Sequence, residues 1–319
     1  LPDETTRAGS ASKQANGSTE ARLSATHSTG PAPLFDRALQ RRRLERALAL
    51  GYPDFLMTRL AEDLDERLGA VLRPFPHALD LGSPTDHVAA LLRGRPGAVQ
   101  VTRLAGLPGP GVDVVADEEV LPFGAGAFDL VVSVMALHGV NDLPGTLAQL
   151  RRALAPDGLF MAAMLGGRTL AELRAVLIEA ESAVEGGASP RVAPFADLRD
   201  LGALLQRAGL ALPVADADLL TLRYDSAIDL MRDLRAMGLT NALTDRSRRP
   251  LRRETLMRAL ALYQERHADA DGRIRASFEV VWLSGWAPHE SQQKPLRPGS
   301  AKARLADALN AIETKLPGA

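Results

Sequence analysis

The chain has 319 residues, 46% of them hydrophobic and 24% charged, with a formal net charge of −1 and no cysteine. That length and apolar content suffice for one large or two modest domains, while near-neutrality removes the basic footprint that duplex nucleic acid or an anionic membrane selects. A chain without cysteine has no disulfide, thiolate nucleophile, Cys-ligated zinc or self-ligated iron–sulfur cluster, which fits a reducing cytoplasm. No segment approaches a membrane-spanning apolar run and the opening residues lack a signal-peptide core, so the expectation is a cytoplasmic protein with no integral membrane segment.

Residues 1–33 are rich in Ser, Thr, Gly and Ala; they cannot offset the entropy of ordering by apolar burial and read as a disordered tail. A transit peptide is the rival reading, weakened because Asp3, Glu4 and Glu20 balance Arg7, Lys13 and Arg22. An N-terminal section, 34–75, holds two expected helices at 36–50 and 54–68, split at Gly51-Tyr52-Pro53. The first carries Arg37, Arg41, Arg42, Arg43 and Arg46, which is either a solvated basic face or a docking surface for an acidic partner. From Pro76 to residue 287 short apolar runs alternate with helical segments, the pattern of a mostly parallel sheet covered on both faces. Strands are expected at 78–81, 98–102, 112–115, 128–134 and 158–164, and helices at 85–92, 143–154, 169–184 and 195–208. Two further strands, 219–224 and 277–282, flank a helical insert at 226–267. A polar tail, 288–319, contains a possible helix at 302–314.

Ligands of doubly wound sheets bind beyond the carboxyl ends of the strands, which directs attention to 80–86, 102–106, 117–119 and 133–141. Asp117 follows a strand, where its carboxylate can accept from an exocyclic amine such as that of adenine. The strand at 128–134 delivers Ser133, Leu137 and His138 to the rim, His138 being either a satisfied rim histidine or a catalytic one. Gly82 lets the backbone approach a ligand closely, but Ser83-Pro84-Thr85-Asp86 follows instead of more glycine. Ser83 reads as a helix N-cap and Pro84 as the first helical residue. Pro84 deletes an N–H donor, and Asp86 sets a carboxylate in the field that would greet a ligand carboxylate. The second strand ends Val101-Thr102-Arg103, without an acid to accept from ribose hydroxyls. The following GLPGPG reads as a loop rather than a phosphate cradle, and no P-loop, HExxH or GxSxG is present in the sequence. His267, Asp269 and His289 match the composition of a two-His, one-carboxylate iron site but fall at a helix end and in the tail, so no metal site is expected.

Several strings carry a resemblance: LFDR at 34–37, ADEEVLPF at 116–123, FDLVVSVMALHGVNDLP at 128–144, PDGLFMAAMLGGRTLAELR at 156–174, EGGASPRVAPFADLRDLGALLQRAG at 185–209, YDSAIDLMRDLRAMG at 224–238 and WAPHESQ at 286–292. Together they resemble the class I S-adenosylmethionine-dependent methyltransferase superfamily, and within it the complex I assembly factor group that includes the mitochondrial protein-arginine hydroxylase. The resemblance covers nearly everything after the first 33 residues. It implies a Rossmann-like, doubly wound, mostly parallel seven-stranded α/β sheet with a helical insert before the last strand, an S-adenosylmethionine site, and a role in maturing an NADH dehydrogenase subunit. Asp80 and Gly82 match the start of the first motif, Asp117 and Glu118 the adenine side, and Leu137 and His138 the loop after the fourth strand. Ser83 to Asp86 and Thr102 depart from the pattern. The first reading is an enzyme acting on a protein substrate, a complex I subunit, with S-adenosylmethionine. A cofactor-poor scaffold holding such a subunit is the second, and the carrier-protein methyltransferase of biotin synthesis a related third. The insert and the Gly166-Gly167-Arg168 loop are expected to form one wall over the strand ends that contacts the partner.

Overall fold

The computed structural model describes residues 32–293. All but the last two residues of the expected 1–33 tail lie outside them, as do the helix expected at 302–314 and most of the C-terminal tail. Helix α1 (Arg37–Ala49) is capped by Asp36, whose carboxylate accepts the Leu39 N–H at 2.9 Å. It buries a single residue, Ala47. Helix α2 (Phe55–Gly69) is its opposite: Leu56, Met57, Leu60, Leu64 and Leu68 recur along one stripe and are all buried.

The sheet follows, with elements β1 (His77–Leu81), α3 (His87–Gly94), β2 (Gln100–Ala105), β3 (Val114–Val115), β4 (Phe128–Val134), α4 (Leu143–Ala153), β5 (Leu154–Leu165), α5 (Ala171–Glu185), α6 (Leu198–Arg207), β6 (Ala211–Tyr224), α7 (Ala227–Ala236), α8 (Arg253–His267) and β7 (Ile274–Trp286). Its seven strands lie in the order β3-β2-β1-β4-β5-β7-β6. Pairing is parallel from β3 through β5, and β7 runs antiparallel to both β5 and β6. This is the Rossmann-like, mostly parallel α/β architecture expected from the sequence.

Period-two alternation builds two cores from one sheet. Met161, Ala163 and Leu165 of β5 face α2, α5, α7 and α8, while Phe160, Ala162 and Met164 face α4 and α6. Both faces are covered, so the central strands carry near-continuous apolar runs.

Three expectations are corrected. Ser83 does not cap α3: it is buried, its Oγ accepts the Val134 N–H at 3.3 Å, and the helix starts only at His87. Strand β2 continues past 102 to Ala105. Strand β6 starts at Ala211 rather than 219; Pro213 argues against a strand by composition, but β6 is an edge strand with a register shift between Ala211 and Val214, a place where proline is tolerated. Phe160 is fully buried, so Phe160→Ala should cost about 3–5 kcal/mol in urea unfolding. Leu50, 78% exposed, should change stability by less than about 0.5 kcal/mol when replaced by alanine.

Candidate functional site

A cavity of about 700 Å³ lies at the carboxyl ends of β1, β2 and β4, lined by the Gly82–Asp86 and Ala105–Pro110 turns and by Met135, Ala136, His138 and Gly139. Its other half is aliphatic: Leu165 comes from β5, Leu170 from the turn before α5, Leu173 and Leu177 from α5, and Met231, Leu234 and Leu251 from the insert. Met135 and Leu170 both take positive φ, 60° and 55°, a conformation costly for side-chain-bearing residues. Backbone bonds hold them there, Met135 N–H to Ala163 O at 2.8 Å and Leu170 N–H to Ser277 O at 2.7 Å. The insert thus walls the cavity as expected, but Gly166 to Arg168 do not line it. Glu279 holds that loop away, accepting the Arg168 backbone N–H at 3.0 Å and its Nε at 2.6 Å.

Helix α1 forms the roof, contributing Arg37, Gln40, Arg41 and Leu44. Polar bonds tie it to the insert: Asp36 N–H donates to Ala242 O at 2.8 Å, and Arg43 to the carbonyls of Thr240 and Asn241. Gly238, at φ +73°, lets the α1 backbone approach; a Cβ there would lie 3.2 Å from Leu44 Cα. The α1 basic face is therefore divided. Arg42 and Arg46 are exposed, whereas Arg37 pairs with Asp117 at 2.9 Å, with Glu118, and with Glu119 at 3.5 Å, and Arg41 pairs with Asp117. Burial opposes the Arg37 charge, but Glu118 and Asp117 outweigh it and hold the guanidinium above its ordinary value. For Asp117 burial likewise opposes ionisation, yet the Glu119 N–H and Arg37 keep the carboxyl below its usual range. The acidic partner of this helix includes the chain's own Asp117-Glu118-Glu119 run. The i, i+4 spacing of Arg37 and Arg41 placed both on one face, but only the fold shows what that face meets.

A second polar knot sits under the β1 turn. Asp80 is fully buried, neither carboxylate oxygen meets the distance and angle of a hydrogen bond with any of the described residues, and Arg103 Nε stands 3.6 Å away, likewise without a partner among them. Burial pushes Asp80 up to about 7 against the pull first of the Ser83 side chain and then of the Arg103 charge. Arg103 lines the cavity and donates to Pro110 O at 2.9 Å and Ser83 O at 3.2 Å. Sequence reasoning missed it by ending the strand at 102. The signal was a lone arginine inside an apolar run, which must find acceptors if the run is a buried strand.

His138 also lines the cavity, its ring in a T-shaped pair with Phe195 at 5.9 Å between centroids. Burial, then the Arg37 charge, pushes it down to about 4, and its Nδ1 is cut off from solvent without a partner. A neutral imidazole carries one donor and one acceptor nitrogen, so it can give or take one hydrogen bond with a ligand. Leu137 packs instead among Leu79, Leu81 and Phe160 in the core. The structure therefore gathers Gly82, Glu118 and His138 at the cavity with Asp117 and Asp80 behind them, and leaves Leu137 out.

A methyltransferase-domain family model matches residues 53–213. The zebrafish (Danio rerio) protein named arginine-hydroxylase NDUFAF5, mitochondrial, is 38% identical over 288 residues, covering 86% of this chain and 89% of its own length. This chain belongs to the class I S-adenosylmethionine-dependent methyltransferase superfamily. Within it, the chain falls in the assembly-factor group: the human protein of the same name is also 38% identical, over 91% of this chain and 88% of itself. The malonyl-[acyl-carrier protein] O-methyltransferase of Laribacter hongkongensis is 34% identical over 76% of this chain and 86% of itself.

In this superfamily the Gly82 side of the cavity would receive the adenosyl group. Gly82 has φ +72°, but a Cβ there would lie 2.8 Å from Glu118 Cγ and 2.9 Å from Ala136 Cβ, so Glu118 already fills the space over the glycine. Arg37 and Arg41 occupy the acids, and Arg103 occupies the β1–β2 corner. As they stand these residues do not fit an adenosyl group, and no chemical step is routed through one.

Two variants isolate the shifted titrating groups, half-buried His138 and buried Asp80. With His138 held at about 4 against an ordinary 6.5, the unfolded chain binds more protons between those values, so stability falls as pH drops from 6.5 toward 4. Over that span the wild type should lose up to about 3 kcal/mol relative to His138→Asn. Asp80, at about 7 against 3.8, acts in the opposite sense. The unfolded chain releases its proton first, so Asp80→Asn should gain on the wild type as pH rises from 3.8 to 7. Urea melts of the three proteins across this range check both signs.

Proposed function

We propose that this chain modifies an arginine side chain of a protein subunit during assembly of NADH dehydrogenase, with His138 beside the reacting group. The observation that carries this reading is the half-buried, neutral His138, whose Nδ1 has no partner among the described residues, set in the wall of a cavity of about 700 Å³. A cavity of this size is within the range of specific small-molecule and side-chain sites, about 300–1,000 Å³. The choice of arginine and of this process rests on the relatives named arginine-hydroxylase. A methyl group would have to come from a methyl donor, and a hydroxyl oxygen from dioxygen together with a two-electron reductant; the mass of the modified arginine distinguishes the two. No helix among the described residues is long and apolar enough to cross a membrane; the cytoplasm remains the proposed compartment, although the animal relatives are named mitochondrial.

A second reading, a scaffold that holds the subunit without modifying it, is favoured by one feature: the chain's own Glu118 and Arg103 fill the nucleoside side. The two separate in cells lacking this protein, by mass spectrometry of the arginines of NADH dehydrogenase subunits. On the enzymatic reading, wild type restores a modified arginine and assembly, whereas His138→Ala restores neither while melting like wild type. Full rescue of assembly by an Asp117→Ala, His138→Ala double variant would leave only the scaffold.

A further inference from the structure

We propose that Arg103 is the specificity-determining residue of the cavity: its guanidinium closes the corner between the turn after β1 and the loop after β2, and thereby excludes ligands that must seat a ribose there. In a doubly wound nucleoside site, the end of the second strand supplies a carboxylate that accepts from the ribose hydroxyls. Here the cavity-lining side chain at that place is an arginine, a group with donors only.

Its surroundings fix it across the corner. Arg103 is 5% exposed, its backbone N–H donates to Asp113 at 2.8 Å, and its two terminal nitrogens reach Pro110 O at 2.9 Å and Ser83 O at 3.2 Å. One planar fork therefore staples the two loops that would have to part around a nucleoside. Among the described residues the remaining donor, Nε, finds no acceptor, and Asp80 at 3.6 Å makes no hydrogen bond with either of its oxygens. Unmade bonds among fully buried groups are costly, so this corner is held by the loops on either side rather than by an optimised ion pair. The aliphatic half beneath α5 and α7 is untouched by the staple and stays open. The inference concerns ligand choice alone and holds whichever way the arginine reading is decided.

The test is calorimetric titration of the full chain with S-adenosylhomocysteine, on wild type, Arg103→Ala and Arg103→Lys. Lysine keeps the charge beside Asp80 but cannot span both carbonyls, so it carries the test if the alanine variant fails to fold; thermal melts identify that case. Wild type should bind roughly ten-fold or more weakly than either folded variant. Wild-type binding as tight as that of the variants would overturn the proposal. So would an absence of any gain in Arg103→Lys with a native melt, because the corner would then be closed by something other than the staple.

Discussion

Because β7 enters the sheet antiparallel between β5 and β6, the chain leaves β6 at the same edge at which β5 ends. Leu165 lies opposite Val280, and Tyr224 opposite Ile274. The connection from β6 to β7 therefore begins beside the carboxyl ends of the parallel strands, and the helices it contains, α7 and α8, stay near that edge. From this constraint follow the aliphatic half of the cavity, the seat for α1, and the loop held by Glu279. Strand β7 is also the most thoroughly buried of the late elements, with Phe278, Val281 and Trp282 at its centre, so the wall of the site is anchored to one of the firmest parts of the core.

The roof is built on different physics. Helix α1 buries one alanine, far less apolar area than α2, the next helix in the chain, and its position over the cavity is set by ion pairs and carbonyl contacts. Each such pair at a partly exposed surface is worth little alone, but Arg37 and Arg41 converge on three consecutive acids, and a network in a half-buried setting is screened less than isolated pairs. The same contacts neutralise the carboxylates that would otherwise face a ligand. Fixing the roof and silencing the acids are one interaction seen from two sides.

A shared superfamily does not settle chemistry here. The strand order and the Gly82 turn are those of a nucleoside-binding sheet, yet the space over the glycine is occupied by Glu118 and the β1–β2 corner by Arg103. Fold and site have separable histories because packing constrains the sheet while only a handful of loop side chains decide what the edge accepts.

The sequence by itself determined the class of fold, the N-terminal helices, β4 to the residue, and the insert between the last two strands. These are local or periodic signals: apolar alternation, and Gly-Tyr-Pro between two helical stretches. It also brought Gly82, Asp117, Glu118 and His138 to one edge, since that follows from strand ends alone. Only the tertiary structure decided what those groups touch. That Arg37 and Arg41 face the Asp117-Glu118-Glu119 run, 76 to 81 positions distant for the bonded pairs, that Leu137 turns into the core, that Ser83 binds Val134 instead of capping a helix, and that Arg103 rather than Thr102 reaches the cavity are all long-range facts. No periodicity encodes them, because the partner of a buried charge is chosen by which loops the sheet brings together and not by its neighbours along the chain.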